Sequence, residues 1–237
     1  MENIDKLNKI AETMNQTGYT VADLVNLLGR QHSSLLNIPD DHIERCKGIF
    51  GDIDRGQLSK KEKGNKLEEL TKILFESSAG TLLDVYKNCR TSTNEIDLLI
   101  RWTENARLAG INGAYAFMGD TFLCECKNYD KAVGVTYVGK FSSLMSVTNT
   151  DFGIMVSWEG VTGRGDWCDS KGLIKKIALR EKRYIVVLER EDLRGICQKE
   201  NNVFSVLYDK YTALKNEIDY AKYITKHSAE EEMKGEG

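Results

Sequence analysis

The sequence predicts an α/β fold, in which strands and helices alternate along the second half of the chain. Two nearly continuous apolar runs, at residues 152–160 and 183–191, are typical of strands buried on both faces. Amphipathic runs at helical spacing precede each of them, at residues 137–148 and 171–183. With a further apolar run before the first helix, this alternation indicates right-handed parallel crossovers.

Residues 1–60 are predicted to form a helical accessory segment. Apolar residues recur at helical spacing in residues 4–14, Thr20 offers an N-cap for the next helix, and Gly29 offers its stop. A helix-turn-helix over residues 19–36 is the alternative. A plain helix bundle is favoured, because the second helix has no cluster of basic or amide side chains for reading bases.

A catalytic domain is predicted over residues 61–195. Residues 51–66 are polar and rich in Gly and Lys, which indicates a connector, and an amphipathic helix follows over residues 66–80. Three strands are then predicted, at residues 81–89, 95–102 and 121–128. Between the last two strands, residues 103–120 are expected to form an extended loop or a longer hairpin.

The C-terminal part is predicted to be a helical extension over residues 196–225. Its amphipathic stretch covers residues 206–224. The charged residues 226–237 are predicted to be a disordered tail.

Composition and short motifs weigh against several classes of function. The net charge of −3 is not typical of a nucleic-acid-binding protein, so any contact with DNA must rest on local basic patches. No apolar run approaches the roughly 20 residues of a membrane span, and the N-terminus lacks the apolar core of a signal peptide, which favours the cytoplasm. The six Cys and three His are not spaced as zinc ligands. Phosphate-loop, dinucleotide-binding and nucleophile-elbow motifs are absent from the sequence.

The stretch TFLCECKNYD at residues 121–130 carries the most chemical information. Side chains alternate along a strand, so Glu125 and Lys127 lie on one face, whereas Phe122, Cys124 and Cys126 lie on the other and suit a core. Asp97 lies in another apolar run, EIDLLI. If these two strands pair, two carboxylates and an ammonium meet at one place. Such a group can hold a divalent metal beside a Lys, which indicates cleavage of phosphodiester bonds.

Each residue has an expected role in that chemistry. Asp97 and Glu125 would bind the metal, with the backbone carbonyl of Cys126 as a further ligand. Lys127 would orient or deprotonate the attacking water, or pair with the negative phosphate. Glu68, on the preceding helix, would bind a second metal or position water. The alternatives are a simple ion pair between Lys127 and either carboxylate, and Glu69 or Glu76 in place of Glu68.

These motifs resemble the PD-(D/E)xK nuclease superfamily, and within it the Mrr-type restriction endonuclease-like domains. The matching segments are KGNKLEEL with Glu68, NEID with Asp97, and FLCECKN with Glu125 and Lys127, followed by the helix TYVGKFSSLM and the strand FGIMVS. The resemblance covers roughly residues 62–190. It implies a restriction-endonuclease-like mixed β-sheet flanked by helices, dependence on Mg²⁺ or Mn²⁺, and cleavage of DNA.

The sequence departs from the superfamily pattern at two points. Ile96 stands where a proline often precedes the motif aspartate. The insertion over residues 101–120 is the larger departure, because it leaves open the register in which the strands of Asp97 and Glu125 pair.

Candidate DNA contacts lie close to the motif. Lys131 follows the catalytic strand, and Lys140 lies one turn into the next helix, which borders the substrate cleft in the fold that the chain resembles. Lys175 and Lys176 belong to a basic run on the following predicted helix, which is either a phosphate contact or a solvated face. Packing is favoured over base stacking for Tyr129 and Tyr137. The three tryptophans, Trp102, Trp158 and Trp167, are expected in the core or an interface.

The predicted function is a metal-dependent DNA endonuclease that takes part in restriction or defence. The alternative is a catalytically silent module on the same fold, which binds nucleic acid or recruits a partner. RNA is compatible with the same chemistry, a homodimer would supply two cutting sites, and any motor or specificity subunit would be a separate chain.

Overall fold

The computed structural model of the protein describes most of the chain between residues 36 and 216. The described residues are 9, 12–14, 16–18, 36–78, 82–90, 95–108, 110–128, 130–165 and 167–216. The chain divides into two compact units, Met1–Asn37 and Ile38–Gly237. In the first unit, residues 12–14 are helical, and the predicted N-cap at Thr20 lies outside the described residues. The predicted tail also lies outside them. The predicted domain boundaries at residues 60, 195 and 225 stay predictions.

The second unit alternates helices and strands. Its elements are α1 (Asp40–Asp54), α2 (Lys60–Ser78), β1 (Leu83–Arg90), β2 (Glu95–Trp102), α3 (Glu104–Leu108), α4 (Ile111–Ala114), a 3-10 turn (Ala116–Met118), β3 (Thr121–Lys127), α5 (Val135–Val147), β4 (Phe152–Ser157), α6 (Asp169–Glu181), β5 (Tyr184–Leu188), α7 (Arg190–Cys197) and α8 (Val203–Asn216).

The strands form one mixed sheet in the order β1-β2-β3-β4-β5. The pairs β1–β2 and β2–β3 are antiparallel, whereas β3–β4 and β4–β5 are parallel. Helices α5 and α6 are the crossovers between the parallel strands. The predicted α/β fold, with a mixed sheet flanked by helices, is therefore confirmed.

Helices cover both faces of the sheet, and β3 shows why. Its alternation places Phe122 against Phe75 of α2, with ring centroids 6.1 Å apart. Leu123 points to the opposite face and joins a buried cluster with Phe141 of α5 and Ile177 of α6. A strand buried on both faces needs apolar residues at nearly every position, so the charged side chains at its end need a separate explanation.

An aromatic cluster packs at the edge of the sheet formed by the N-terminal ends of β3 and β4. Phe117, from the 3-10 turn, packs edge-to-face on Phe152 of β4 with centroids 5.3 Å apart. It also contacts Tyr208 and Tyr211 of α8, at 5.7 Å and 4.6 Å. This edge lies at the opposite end of β3 from Glu125 and Lys127.

The predicted connector over residues 51–66 is wrong. Residues 51–54 complete α1, and α2 begins at Lys60. A capping box explains the start, because the backbone N–H of Ser59 donates to Glu62 at 2.9 Å and the N–H of Glu62 donates to the Ser59 hydroxyl at 3.3 Å. This capping box was not recognised in the sequence, because the Lys-rich composition favoured a connector.

Two further predictions need correction. Residues 103–120 form the short helices α3 and α4 and the 3-10 turn, and not an extended loop or hairpin. The apolar run over residues 183–191 ends as a strand at Leu188, because a second capping box, between Glu189 and Asp192, starts α7 there.

Candidate active site

Three charged side chains meet where β2 begins and β3 ends. The Lys127 ammonium lies 3.7 Å from Oδ2 of Asp97 and also contacts Oε1 of Glu125. Each of these side chains is less than one-fifth exposed, at 18%, 17% and 19% for Asp97, Glu125 and Lys127. The structure thus brings together the three residues at the centre of the predicted site.

The register of the two strands produces this meeting. The antiparallel β2–β3 pairing runs from Arg101 opposite Thr121 to Leu98 opposite Cys124. Asp97 is the next residue beyond this pairing on β2, and its carboxylate accepts the backbone N–H of Cys126 at 2.8 Å. The Asp97 side chain therefore supplies a hydrogen-bond acceptor for a backbone N–H at the end of the β2–β3 pairing. The insertion between the strands does not disturb the register.

Glu68 approaches the same charges from α2. Its carboxylate pairs with Lys87 of β1 at 3.4 Å and is 23% exposed. Burial raises the pKa of Glu68, the charge of Asp97 raises it further, and Lys87 and Lys127 oppose the rise. Glu68 is thus electrostatically coupled to the other residues, although its ion-pair partner is Lys87.

The pKa of Glu125 is raised for the same reasons as that of Glu68. Burial is the main cause that raises its pKa, and the negative charge of Asp97 is the next. Lys127 opposes both effects but does not cancel them. The charged form of Glu125 is therefore disfavoured at this place, mainly because the carboxylate is buried.

The donor set fits a hard divalent cation. Carboxylate oxygens are the preferred protein ligands of Mg²⁺ and Mn²⁺, and Asp97 and Glu125 both approach the position held by the Lys127 ammonium. A cation bound there would offset both the burial of the Glu125 carboxylate and its repulsion from Asp97, the two main causes of its raised pKa. Within the described ranges, no group of three or more His, Cys, Asp and Glu side chains is arranged as a metal site.

Two supporting residues were missed by the sequence reasoning. Lys87 partners Glu68, and the clue was its position in a strand that pairs with the strand of Asp97. Thr71 lies one turn after Glu68 and is 1% exposed. Its hydroxyl donates to the carbonyl of Leu67 at 2.8 Å and accepts a contact from Cys126 Sγ at 3.6 Å. This contact joins α2 to β3 beside the site.

The predicted DNA-contacting lysines lie on or just before the two crossover helices. Lys131, Lys140 and Lys176 are exposed, and Lys175 is half-buried. The Lys140 ammonium lies 5.9 Å from the ring centroid of Tyr137, and that of Lys175 lies 5.6 Å from the ring of Trp167.

The three tryptophans do not share one environment. Trp102 and Trp158 are buried, at 0% and 8% exposed, as expected for core residues. Trp167 is 48% exposed, so it is not a core residue, and its placement in an interface stays a prediction. Tyr137 is also exposed, at 39%, and Tyr129 lies outside the described residues.

Comparison with known proteins agrees with this geometry. A mixed sheet that carries an acid on one strand and an acid and a lysine on the next defines the restriction-endonuclease-like class of nuclease domains. A family model described as restriction endonuclease, Mrr_cat, matches residues 59–193, more than half of the chain. The chain belongs to this Mrr-type restriction endonuclease family.

One solved structure is similar in part. It is described as "DNA modification-dependent restriction endonuclease AspBHI", with 13% sequence identity and a TM-score of 0.39 over 78% of this chain. The matched region is 43% of that protein, so this chain spans less than half of its length. A search of curated proteins found no match. In the described part of the chain, no helix has the length and apolar character needed to cross a membrane.

Proposed function

We propose that this chain is a metal-dependent DNA endonuclease that acts in restriction or defence. The observation that carries the proposal is the contact of Lys127 with both Asp97 and Glu125 at the end of a buried strand. Charged side chains in such a place are unfavourable unless they are paired or bind an ion. Family membership supports a nuclease role, and the three side chains supply the groups that phosphodiester hydrolysis needs.

The proposed roles follow from the chemistry of each group. Asp97 and Glu125 would hold Mg²⁺ or Mn²⁺, with the Cys126 carbonyl as a further ligand. The bound metal would polarise the phosphate and lower the pKa of a water. Lys127 would orient that water or stabilise the charge that develops on the phosphate oxygens. Glu68, held by Lys87, would position the water or a second cation.

Lys127 has two successive partners in this proposal. Without metal, its ammonium forms ion pairs with Asp97 and Glu125. With a cation held by these carboxylates, the Lys127 ammonium would be available to pair with the phosphate. The same lysine would thereby stabilise the metal-free site and take part in the reaction.

Other features of the proposal follow from DNA as the substrate. Lys131, Lys140, Lys175 and Lys176 are proposed to contact phosphates, since each lies on or just before the helix that follows β3 or β4.

RNA remains an alternative substrate, because a metal and a lysine do not read the sugar. Cutting both strands would need two sites, which a homodimer would supply. The proposed compartment is the cytoplasm, and any motor or specificity subunit is proposed as a separate chain.

The test is digestion of supercoiled and linear DNA by the purified protein, with Mg²⁺ or with EDTA. We expect Mg²⁺-dependent cutting that Lys127→Ala and Asp97→Ala abolish. Asp84→Asn is the matched control, because Asp84 forms an exposed ion pair with Arg101 at the other end of the β1–β2 pairing. If the wild type cuts neither modified nor unmodified DNA nor RNA, the endonuclease proposal is wrong and the silent binding module replaces it. Cutting that survives both substitutions would place the reaction elsewhere.

A further inference from the structure

Two exposed aromatic rings, each with a lysine ammonium above it, lie near the starts of the crossover helices. Tyr137 lies in the first turn of α5, beneath the ammonium of Lys140. Trp167 lies two residues before α6, beneath the ammonium of Lys175. Their rings are 39% and 48% exposed. Both rings therefore present part of their surface to solvent.

Both pairs lie at the edge of the sheet that holds the candidate active site. Lys127, at the end of β3, is in register with Ser157, at the end of β4. Just beyond these ends, Val133 forms a parallel bridge with Val161. The segments that lead into α5 and α6 therefore leave the sheet side by side, next to Lys127. In open sheets of this kind, ligands bind at the carboxyl ends of the parallel strands.

The backbone around Trp167 is held in place. The N–H of Cys168 donates to the carbonyl of Gly165 at 3.1 Å, and the N–H of Gly172 donates to that of Cys168 at 3.0 Å. The buried hydroxyl of Ser170 donates to the carbonyl of Val133 at 2.8 Å, which ties the start of α6 to the segment before α5. These hydrogen bonds hold the backbone that carries the exposed ring of Trp167.

Gly172 permits an unusually close approach. A Cβ at this position would lie 2.1 Å from the carbonyl oxygen of Trp167. The loop backbone consequently rests directly on the first turn of α6. The Trp167 ring is nevertheless 48% exposed, and an exposed cation–π contact contributes only a small stabilisation.

We propose that Tyr137 and Trp167, with Lys140 and Lys175, form a binding surface for the unpaired bases of a DNA strand beside the cleavage site. A flat aromatic ring stacks on a nucleobase, and the adjacent ammonium pairs with its phosphate. Bases in a duplex are already stacked on each other, so the surface selects a strand that is opened or single-stranded. This inference rests on the proposed nuclease function and names the form of DNA that the site engages.

The test measures binding without cleavage. Fluorescence anisotropy of a labelled oligodeoxythymidine, and of a duplex of equal length, would be recorded in EDTA. We expect the wild type to prefer the single strand, and Trp167→Ala and Tyr137→Ala each to weaken single-strand binding about 10-fold with little effect on the duplex. Trp167→Phe should retain most of the affinity, because a phenyl ring still stacks.

Tyr208→Ala is the matched control. Its ring is 51% exposed, but it belongs to the aromatic cluster at the opposite edge of the sheet. This substitution should leave single-strand binding unchanged. Quenching of Trp167 emission by the oligonucleotide gives a second readout, since the other two tryptophans are buried.

The outcomes separate this inference from the nuclease proposal. If the ring substitutions leave single-strand binding unchanged, or if the wild type binds no DNA or prefers the duplex, the stacking surface is wrong even when Mg²⁺-dependent cutting is observed. If single-strand binding depends on both rings but no cutting occurs with Mg²⁺, the binding surface stands and the nuclease proposal fails.

Discussion

The carboxylate of Asp97 accepts a hydrogen bond from the backbone N–H of Cys126, with 2.8 Å between Oδ2 and N. Asp97 therefore has a structural role in addition to its proposed metal-binding role, and two substitutions separate them. Asp97→Asn keeps an oxygen acceptor for this N–H, so we expect stability within about 1 kcal/mol of the wild type. Asp97→Ala leaves the N–H unpaired, which costs about 1–3 kcal/mol. Both variants should lose Mg²⁺-dependent cutting.

Urea unfolding measures the first difference, and DNA digestion the second. Asp84→Asn serves as the control, because the side chain of Asp84 is 38% exposed and pairs with Arg101 away from the site. Equal stability of Asp97→Asn and Asp97→Ala would show that the hydrogen bond contributes nothing. Retained cutting by Asp97→Asn would remove the carboxylate from the reaction.

The pKa of Glu125 leads to a prediction about stability and pH. Burial and the charge of Asp97 raise the pKa of Glu125 above its ordinary value of 4.5. The folded protein therefore binds this proton more tightly than the unfolded chain, and its stability falls as pH rises through the raised pKa. Glu125→Gln removes the buried charge, so the variant should be more stable than the wild type at neutral pH. The difference should disappear below the ordinary pKa.

Thermal unfolding at a series of pH values measures this difference. A gain of about 1 kcal/mol raises the Tm of a domain of this size by about 2–4 °C. Glu181→Gln is the control, because its exposed carboxylate pairs with Arg183 at the end of α6, on the surface. A variant that is less stable than the wild type at neutral pH would show that pairing with Lys127 outweighs the burial of Glu125.

Metal binding should be visible as stabilisation even where no DNA is present. A ligand at 100 times its Kd stabilises the native state by about 2.7 kcal/mol. We expect Mg²⁺ or Mn²⁺ to raise the Tm of the wild type, and EDTA to reverse the rise. Glu125→Gln should abolish the effect, and Asp84→Asn should preserve it. Equal stabilisation of the wild type and Glu125→Gln would place the cation away from Glu125.

The proposed phosphate contacts predict a salt dependence. Each lysine that neutralises a phosphate adds about 0.7–0.9 to the slope of log affinity against log salt. Lys140→Ala and Lys175→Ala should each lower the slope by about that amount. Lys47→Ala is the control, since Lys47 forms an exposed ion pair with Glu44 on α1. An unchanged slope in either variant would remove that lysine from the DNA interface.

The centre of the site was predictable because strand periodicity determines it. Glu125 and Lys127 are two residues apart on a strand, so they share a face whatever the rest of the chain does. Asp97 needed one further condition, that β2 pairs with β3. The parallel crossovers were predictable for a similar reason, since apolar strands and amphipathic helices differ in period.

Features that depend on packing between distant elements were not predictable in the same way. The pairing of Lys87 with Glu68 joins β1 to α2, and neither residue signals it locally. The exposure of Trp167 contradicts the usual placement of tryptophan, because the loop before α6 is anchored by its backbone and not by its ring. The start of α2 was different, because its capping box of Ser59 and Glu62 can be recognised in the sequence. The polar, Lys-rich composition around it favoured a connector instead.

Gly172 offers a test of whether the anchored loop matters for binding. In Gly172→Ala, the new Cβ would lie 2.1 Å from the Trp167 carbonyl oxygen, so the loop backbone must shift. Alanine favours the helix by about 1 kcal/mol over glycine, and this partly offsets a clash of about 1–3 kcal/mol. Because the clash is with backbone atoms, we expect a clear loss of stability together with weaker binding of single-stranded DNA, since the ring of Trp167 moves with its backbone.

Gly165→Ala is the matched control in the same loop. Its Cβ would meet only Cys168 Sγ, at an ordinary contact distance of 3.7 Å. This variant should retain both the Tm and the affinity of the wild type for oligodeoxythymidine. Thermal unfolding of both variants measures the change in stability, and fluorescence anisotropy measures the change in affinity for the single strand. If Gly172→Ala loses stability but binds the single strand as the wild type does, the position of the Trp167 ring has no part in binding, and the close approach at Gly172 serves packing alone.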